Sequence, residues 1–531
     1  MGVTLVPKPV EVRETGGSCP IRQDVEVIVS GEAEVGHAAE MLAQMLRQKT
    51  GHPVPVETLD EYRENREGIY FLPDPYIPGK SPERYLLTVE PNRIVLAAAS
   101  FEGFARGIQA LRQLFPTAAM QDVKIPLALP CVTIRDEPRF SWRGLNLDCS
   151  RHFMDVEFIK RYIDLLAYHR MNVFHWHLTD DHGWRIEIPG YPRLTGIGAW
   201  RKGKGGTPYG GYYTAGDIRE VVQFAADRAV TVMPEIEMPG HSTAALAAYP
   251  ELSCTGGPFE GATSWGIKKE VYCAGREETF TFLQAVLDRV MELFPSPYIH
   301  IGGDECLKTR WKKCPRCQAR IKEEGLVNEE ELQSYFISRM GHYIEENGRQ
   351  FIGWDEILEG GIPPGAVVQS WRGTAGAVEA VHAGHRTIVS PTSHTYFDYG
   401  LARTDLAKVY GFDPVPEELS AEDASLVLGS EANMWTEYAP QHTIDSKVFP
   451  RLCALAEVLW TPEEERSLHD FRDRMQFHYA RLEEMGVAFG PESESKLHML
   501  RYLMRDARAF FGILAQDPGL ALMHLRMYLG G

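Results

Sequence analysis

From Phe140 onward the chain alternates short apolar runs with longer segments of helical period. The runs Arg143–Asp148, Val173–Leu178, Val230–Ile236, Tyr298–Ile301, Gln350–Trp354, Val367–Trp371, Thr387–Pro391 and Leu426–Ser430 read as strands. Apolar residues at successive positions suit a sheet covered on both faces. Helical runs such as Val156–Ala167 and Asp217–Arg228 separate them. Strand and helix in alternation over about 350 residues predict an α/β fold with a parallel sheet. The pattern by itself accommodates roughly six to nine strands.

The chain before this region is patterned differently. Val25–Val29 and Tyr85–Val89 read as strands, and Arg93–Ala97 follows a Pro91-Asn92 turn as a hairpin partner. Glu34–Arg47 and Glu102–Leu114 have helical periodicity, with Phe104, Ile108, Leu111 and Phe115 able to share one face. A small α/β domain is therefore expected over residues 1–135, with a boundary near Asp136-Glu137-Pro138, where proline favours an extended connection. At the other end Leu497, Leu500, Leu503, Met504, Leu522, Leu525 and Leu529 predict a helical extension over residues 491–531. A helix packed on the main domain is the plain reading of that tail, and an oligomer contact is the alternative.

Polar and aromatic residues gather where the predicted strands end. The sharpest case is Tyr298-Ile299-His300-Ile301-Gly302-Gly303-Asp304-Glu305. An apolar strand stops at two glycines, which let other groups approach closely, and then presents two adjacent carboxylates. Alone this reads as a turn with a solvated Glu. Two acids in different surroundings can also hold different protonation states at one pH, as general acid catalysis requires.

Further motifs follow the other strands in order. They are Asp148-Cys149-Ser150-Arg151-His152-Phe153, Asn172 through Asp181 (with His175, His177 and Asp180), Met238-Pro239-Gly240-His241, Gly353-Trp354-Asp355-Glu356, Ser370-Trp371-Arg372 and Gly429 through Glu437 (with Trp435). Together with the Gly-Gly-Asp-Glu strand end, they resemble glycoside hydrolase family 20, the β-N-acetylhexosaminidases, over roughly residues 1 to 485.

That resemblance implies a catalytic (β/α)8 TIM barrel over residues 136–490, with its site at the C-terminal strand ends. It implies a retaining, exo-acting enzyme in which the substrate's own 2-acetamido group is the nucleophile, passing through an oxazolinium ion. Glu305 would be the general acid, its pKa raised by partial burial and by the neighbouring charge. Asp304 would accept from the acetamide N–H and orient the group. Tyr396 would donate to the acetamide oxygen, and Asp180 with His241 would tune and hold the acid. Trp354, Trp371 and Trp435 resemble the walls and platform of the sugar pocket, since sugar C–H faces are apolar and indoles offer rigid area. Arg151 would bind O3 and O4, Glu437 O4 and O6, and Asp398 O6. The implied substrate is a glycan ending in β-linked N-acetylglucosamine or N-acetylgalactosamine, with no cofactor. Two other readings remain open on the residues: a barrel glycosidase with a carboxylate nucleophile of its own, and a non-catalytic carbohydrate-binding relative.

Composition narrows the partners. The 531 residues carry a formal charge of −18, which disfavours nucleic acid. No apolar run reaches bilayer length, and the start Met1-Gly2-Val3-Thr4-Leu5 lacks a signal-peptide pattern. A cytoplasmic location is expected unless a leader has been removed. Nine cysteines spread over this length are no disulfide framework. Cys306, Cys314 and Cys317 include a Cys-x-x-Cys and raise the question of zinc. No second close pair or His pair follows, so reduced thiols are the expectation, with Cys306 packing beside the acids. His175, His177 and Asp181 also invite a metal reading, but strand histidines bonded to neighbours are the ordinary case.

Overall fold

The computed structural model describes residues 3–30, 33–58, 67–117 and 127–493. The helical extension expected over 491–531 lies outside the described residues apart from its first three.

The N-terminal part is a seven-stranded sheet: β1 (Glu11–Pro20), β2 (Val27–Val29), β3 (Val56–Thr58), β4 (Gly68–Pro73), β5 (Tyr85–Glu90), β6 (Arg93–Ala98) and β7 (Ala128–Asp136), in spatial order β1-β7-β5-β6-β4-β2-β3. Helices α1 (Ala33–Thr50) and α2 (Phe101–Leu114) share its apolar core. The α2 face is the predicted one, with Phe104, Ile108 and Leu111 buried and Phe115 just beyond the helix. Ser100 caps α2 by accepting from the Gly103 N–H. The long outer strand β1 was not legible in advance, because its residues are almost all exposed and carry no apolar alternation.

The rest closes into a barrel of eight parallel strands with helices outside. In chain order they are β8 (Trp142–Asp148), β9 (Val173–His177), β10 (Thr231–Glu235), β11 (Tyr298–His300), β12 (Gln350–Trp354), β13 (Val367–Ser370), β14 (Arg386–Val389) and β15 (Val427–Met434), with β15 pairing back onto β8. Seven follow the predicted runs to within a residue or two. β15 runs four residues past its predicted end, because Glu431 looks like a strand terminator in sequence. Its backbone nevertheless pairs residue by residue with β8, from Gly429 opposite Trp142 to Met434 opposite Leu147. Closure thereby carries Trp435 to the barrel mouth.

The two parts are joined by buried charge. Glu83 of the small domain accepts from Arg106 at 2.7 Å and from the barrel's Arg143. Burial opposes the Glu83 charge, but Arg143 and Arg106 outweigh it and hold the carboxyl at about 2. Asp136, at the end of β7, accepts from Arg170 and from the Trp460 indole, both at 2.9 Å. No helix among the described residues is long and apolar enough to cross a membrane.

Candidate active site

The motifs singled out in the sequence converge at the C-terminal ends of the barrel strands. Below them the strands supply a layer of buried charge. Glu235, at the end of β10, bonds His177 at 2.6 Å and accepts from the Trp354 indole at 2.9 Å, while nitrogens of His300 and His175 lie 2.8 Å and 3.0 Å from its carboxylate. Glu431 on β15 meets His175 at 2.6 Å and the Trp142 indole at 3.1 Å. Burial works against charge on these imidazoles, yet Glu431 and Glu235 push His175 up to about 9. Against the same penalty, Glu235 and Asp180 push His177 up to about 10. The His175–His177 pair is therefore engaged by protein carboxylates, as the ordinary reading of strand histidines expects.

Above that layer the chain bends sharply. Gly302 and Gly303 take φ of 66° and 102°, and Glu305 and His241 take φ of 48° and 47°. Left-handed backbone costs a non-glycine residue about 1–2 kcal/mol, so the surrounding packing must hold it. A Cβ on Gly302 would fall 1.8 Å from the Glu237 carboxyl, so glycine there makes room for a buried acid. The bend turns Asp304 and Glu305 toward His241, whose Nε2 lies 3.4 Å from Asp304 and 3.5 Å from Glu305. On its other side His241 Nδ1 lies 3.2 Å from Asp180. Asp180 in turn pairs with Arg151 at 2.7 Å and His177 at 3.1 Å. Burial disfavours charge on both partners, but Asp180 and Asp304 raise His241 well above its usual range, and Arg151 and His241 depress Asp180. Asp180 and His241 thus stand near the acid as expected, with the His241 ring between Asp180 and the two carboxylates. Asp304 Oδ1 is buried and has no hydrogen-bond partner among the described residues.

Aromatic rings wall this centre. Trp354, Trp371 and Tyr396 form one buried cluster, with Trp435 and Tyr399 against it. Trp371 stacks on Tyr396 at 6.2 Å and 20°, and Trp354 faces Trp435 at 5.8 Å. Arg151 lies over the Trp435 ring at 5.1 Å and feels the charge of Glu437. Tyr396 keeps its proton strongly, chiefly because it is buried, with Tyr399 and Asp398 adding to the effect. All eleven residues singled out for the site therefore belong to one neighbourhood, though Arg151 is committed to Asp180 as well as to the mouth.

Two acids went unnoticed in the sequence. Glu237 is buried, and burial, then Asp304 and Glu235, raise it well above the carboxylate range. Glu356 is raised by burial too, with Asp355 and Asp304 adding, and it accepts from the Trp371 indole at 2.8 Å. The signal for Glu237 was its spacing from Glu235, two residues apart at a strand end and so on one face. Glu356 stood inside a motif whose tryptophan took the attention.

Residues 140–463 match the family model described as "Glycosyl hydrolase family 20, catalytic domain", and residues 3–137 match "Glycosyl hydrolase family 20, domain 2". The chain belongs to glycosyl hydrolase family 20. It is a glycoside hydrolase. Within family 20 it is 41% identical to a beta-hexosaminidase of Porphyromonas gingivalis, over 92% of this chain and 64% of that protein. The chain thus spans somewhat less than two thirds of that relative's length. Among solved family 20 structures, it is similar to the exo beta-N-acetylglucosaminidase of Vibrio harveyi in complex with N-acetylglucosamine, with TM-score 0.83 and 30% identity, covering 92% of this chain and 78% of that one. It is also similar to the beta-N-acetylhexosaminidase of Bacteroides fragilis, with TM-score 0.81 and 34% identity, covering 93% and 98%.

Proposed function

We propose that this protein is a retaining exo-β-N-acetylhexosaminidase that removes terminal β-linked N-acetylglucosamine or N-acetylgalactosamine by substrate-assisted catalysis. The observation that carries the reading is the buried Asp304 Oδ1, without a hydrogen-bond partner among the described residues, next to Glu305 and within electrostatic reach of Tyr396 in the cluster of Trp354, Trp371 and Tyr396. Such an oxygen suits one amide N–H, and the rings around it suit an acetamide methyl and a sugar face. The P. gingivalis and V. harveyi relatives, by their names, act on such sugars.

In the first step Glu305 gives its proton to the departing glycosidic oxygen. The acetamide carbonyl oxygen attacks the anomeric carbon and closes an oxazolinium ring. Asp304 accepts from the acetamide N–H and faces the positive charge that develops there, while the Tyr396 hydroxyl donates to the acetamide oxygen. In the second step the Glu305 carboxylate takes a proton from water, which opens the ring with net retention. This sequence requires a protonated Glu305 beside an ionised Asp304. His241, held on its other side by Asp180, stands beside both acids and keeps them in place. Trp354 and Trp371 hold fixed poses through their bonds to Glu235 and Glu356, and Arg151, Asp398 and Glu437 bind the ring hydroxyls.

The experiment is the anomeric configuration of the first-formed sugar, read by NMR, together with inhibition by a thiazoline analogue of the oxazolinium ion. The reading expects the β-anomer, strong inhibition, and rates that fall as the acetamide is progressively fluorinated. An inverted product, or indifference to the thiazoline, would rule the mechanism out.

A further inference from the structure

The sequence showed one Cys-x-x-Cys, Cys314 and Cys317, with Cys306 near it and no second pair. The fold supplies the missing pair from far upstream. Cys254 and Cys273 come to Cys314 and Cys317, so that four sulfurs lie within 4.8 Å of one another. Cys306 is not among them.

The geometry is that of a coordination shell. Cys254 and Cys317 sulfurs are 3.8 Å apart, Cys273 and Cys314 3.8 Å, and Cys273 and Cys317 3.6 Å. These are far longer than a disulfide bond of about 2.05 Å. A tetrahedron of thiolates around zinc, with bonds of about 2.3 Å, has an edge of about 3.8 Å. Sulfurs bound to separate irons of a cluster stand farther apart, so the spacing fits a single ion.

The surrounding backbone is built to bring these residues together. Ser253 pairs antiparallel with Tyr272, and the Cys273 N–H donates to the Leu252 carbonyl at 2.9 Å, which sets Cys254 beside Cys273. The Trp311 indole donates to the Tyr272 carbonyl at 2.9 Å, and the Cys314 N–H donates to Trp311 at 3.1 Å. That ties the upstream pair to the downstream one. A Cβ on Gly275 would lie 2.2 Å from the Arg316 carbonyl carbon, so only glycine allows the two turns to approach. Cys314 immediately precedes the helix Pro315–Glu323, and Cys317 lies in its first turn, where the helix N-terminus favours thiolate charge. Three of the cysteines are buried and Cys254 is partly exposed.

We propose that Cys254, Cys273, Cys314 and Cys317 hold one structural zinc ion. Four protein ligands close the coordination sphere, so the ion takes no part in the chemistry. Its place in the chain gives it a different task. Cys254 and Cys273 lie in the connection after β10 that also carries His241, and Cys314 and Cys317 lie in the connection after β11 that carries Asp304 and Glu305. Zinc staples these neighbouring loops, which touch where a Cβ on Gly240 would meet the Asp304 carbonyl oxygen at 3.0 Å.

The test is metal content by mass spectrometry on the whole protein, purified under reducing conditions from zinc-supplemented medium. Wild type should carry about one zinc per chain. C273S and C317S should lose at least about ten-fold of it, and C131S, in the N-terminal sheet, should keep it. Since the Ser variants can fail to fold, wild type is also exchanged into cobalt, which should give the charge-transfer and visible bands of a tetrahedral thiolate site. Zinc well below stoichiometry with no thiolate–cobalt spectrum would overturn the proposal. So would stoichiometric iron, or two disulfides linking the four residues in the freshly isolated protein.

Discussion

The barrel interior has two layers built from the same strands and opposite in character. The lower layer is Trp142, Val173, Met233, Ile352, Val367 and Ile388, which pack as an apolar plug. The upper layer, two or four residues further along several of those strands, is His175, His177, Glu235, His300, Gln369 and Glu431, equally buried and polar. The plug gains free energy simply by leaving water, at roughly 25 cal/mol per Å² of apolar surface. The polar layer costs desolvation and recovers it only through pairing, chiefly of His175 and His177 with Glu431 and Glu235. The lower half therefore tolerates small changes, whereas the upper half holds the tryptophans and acids of the site in fixed poses.

The largest expected effect falls at the mouth. E305Q should lower kcat/KM by about 10²–10⁴ while leaving the denaturation midpoint nearly unchanged, since a general acid contributes to the barrier and little to the fold. E235Q tests the polar layer itself. It removes an anion shared by three histidines and an indole, and should destabilise by about 3–5 kcal/mol in urea unfolding, with activity falling as Trp354 loosens. An unchanged midpoint in E235Q would mean that the layer is not the interlocked unit described. In the plug, I352V should cost only about 1 kcal/mol and leave kcat/KM at the wild-type value; a matching loss of activity would erase the contrast. The mildest expected change is W371F, which strips the donor from Glu356 and should reduce kcat/KM by roughly five-fold, the worth of one hydrogen bond.

Alkali separates the layers as well. The folded-state value of His177 is about 10, above the unfolded value of about 6.5. The stability from its pairing is therefore complete below pH ~6.5 and is lost as the pH rises through about 10. Unfolding free energy should decline over that window in the wild type and in I352V, with a shallower slope in E235Q, where the raising charge is gone.

Much of this was legible in the chain. Most strands and helices followed from period, and the acids, indoles and arginine of the mouth could be named because the motifs that carry them resemble those of glycoside hydrolase family 20. The extension of β15 was hidden because Glu431 reads as a polar stop; it is a barrel-interior residue bonded to His175 and Trp142. Glu237 was overlooked because its only signal, the spacing from Glu235, does not show that the Gly302 bend closes over it. The four-cysteine cluster was hidden for a plainer reason: the partners of Cys314 and Cys317 lie about forty to sixty residues upstream, too far along the chain to read as a second pair.

By itself the sequence determined which segments become strands, which residues wait at their ends and which chemistry those residues can perform, because these depend on local periodicity and side-chain identity. The tertiary structure alone decided which distant groups share a proton, an indole or a cluster of sulfurs. Those contacts arise from barrel closure and loop docking, whose geometry depends on every strand at once.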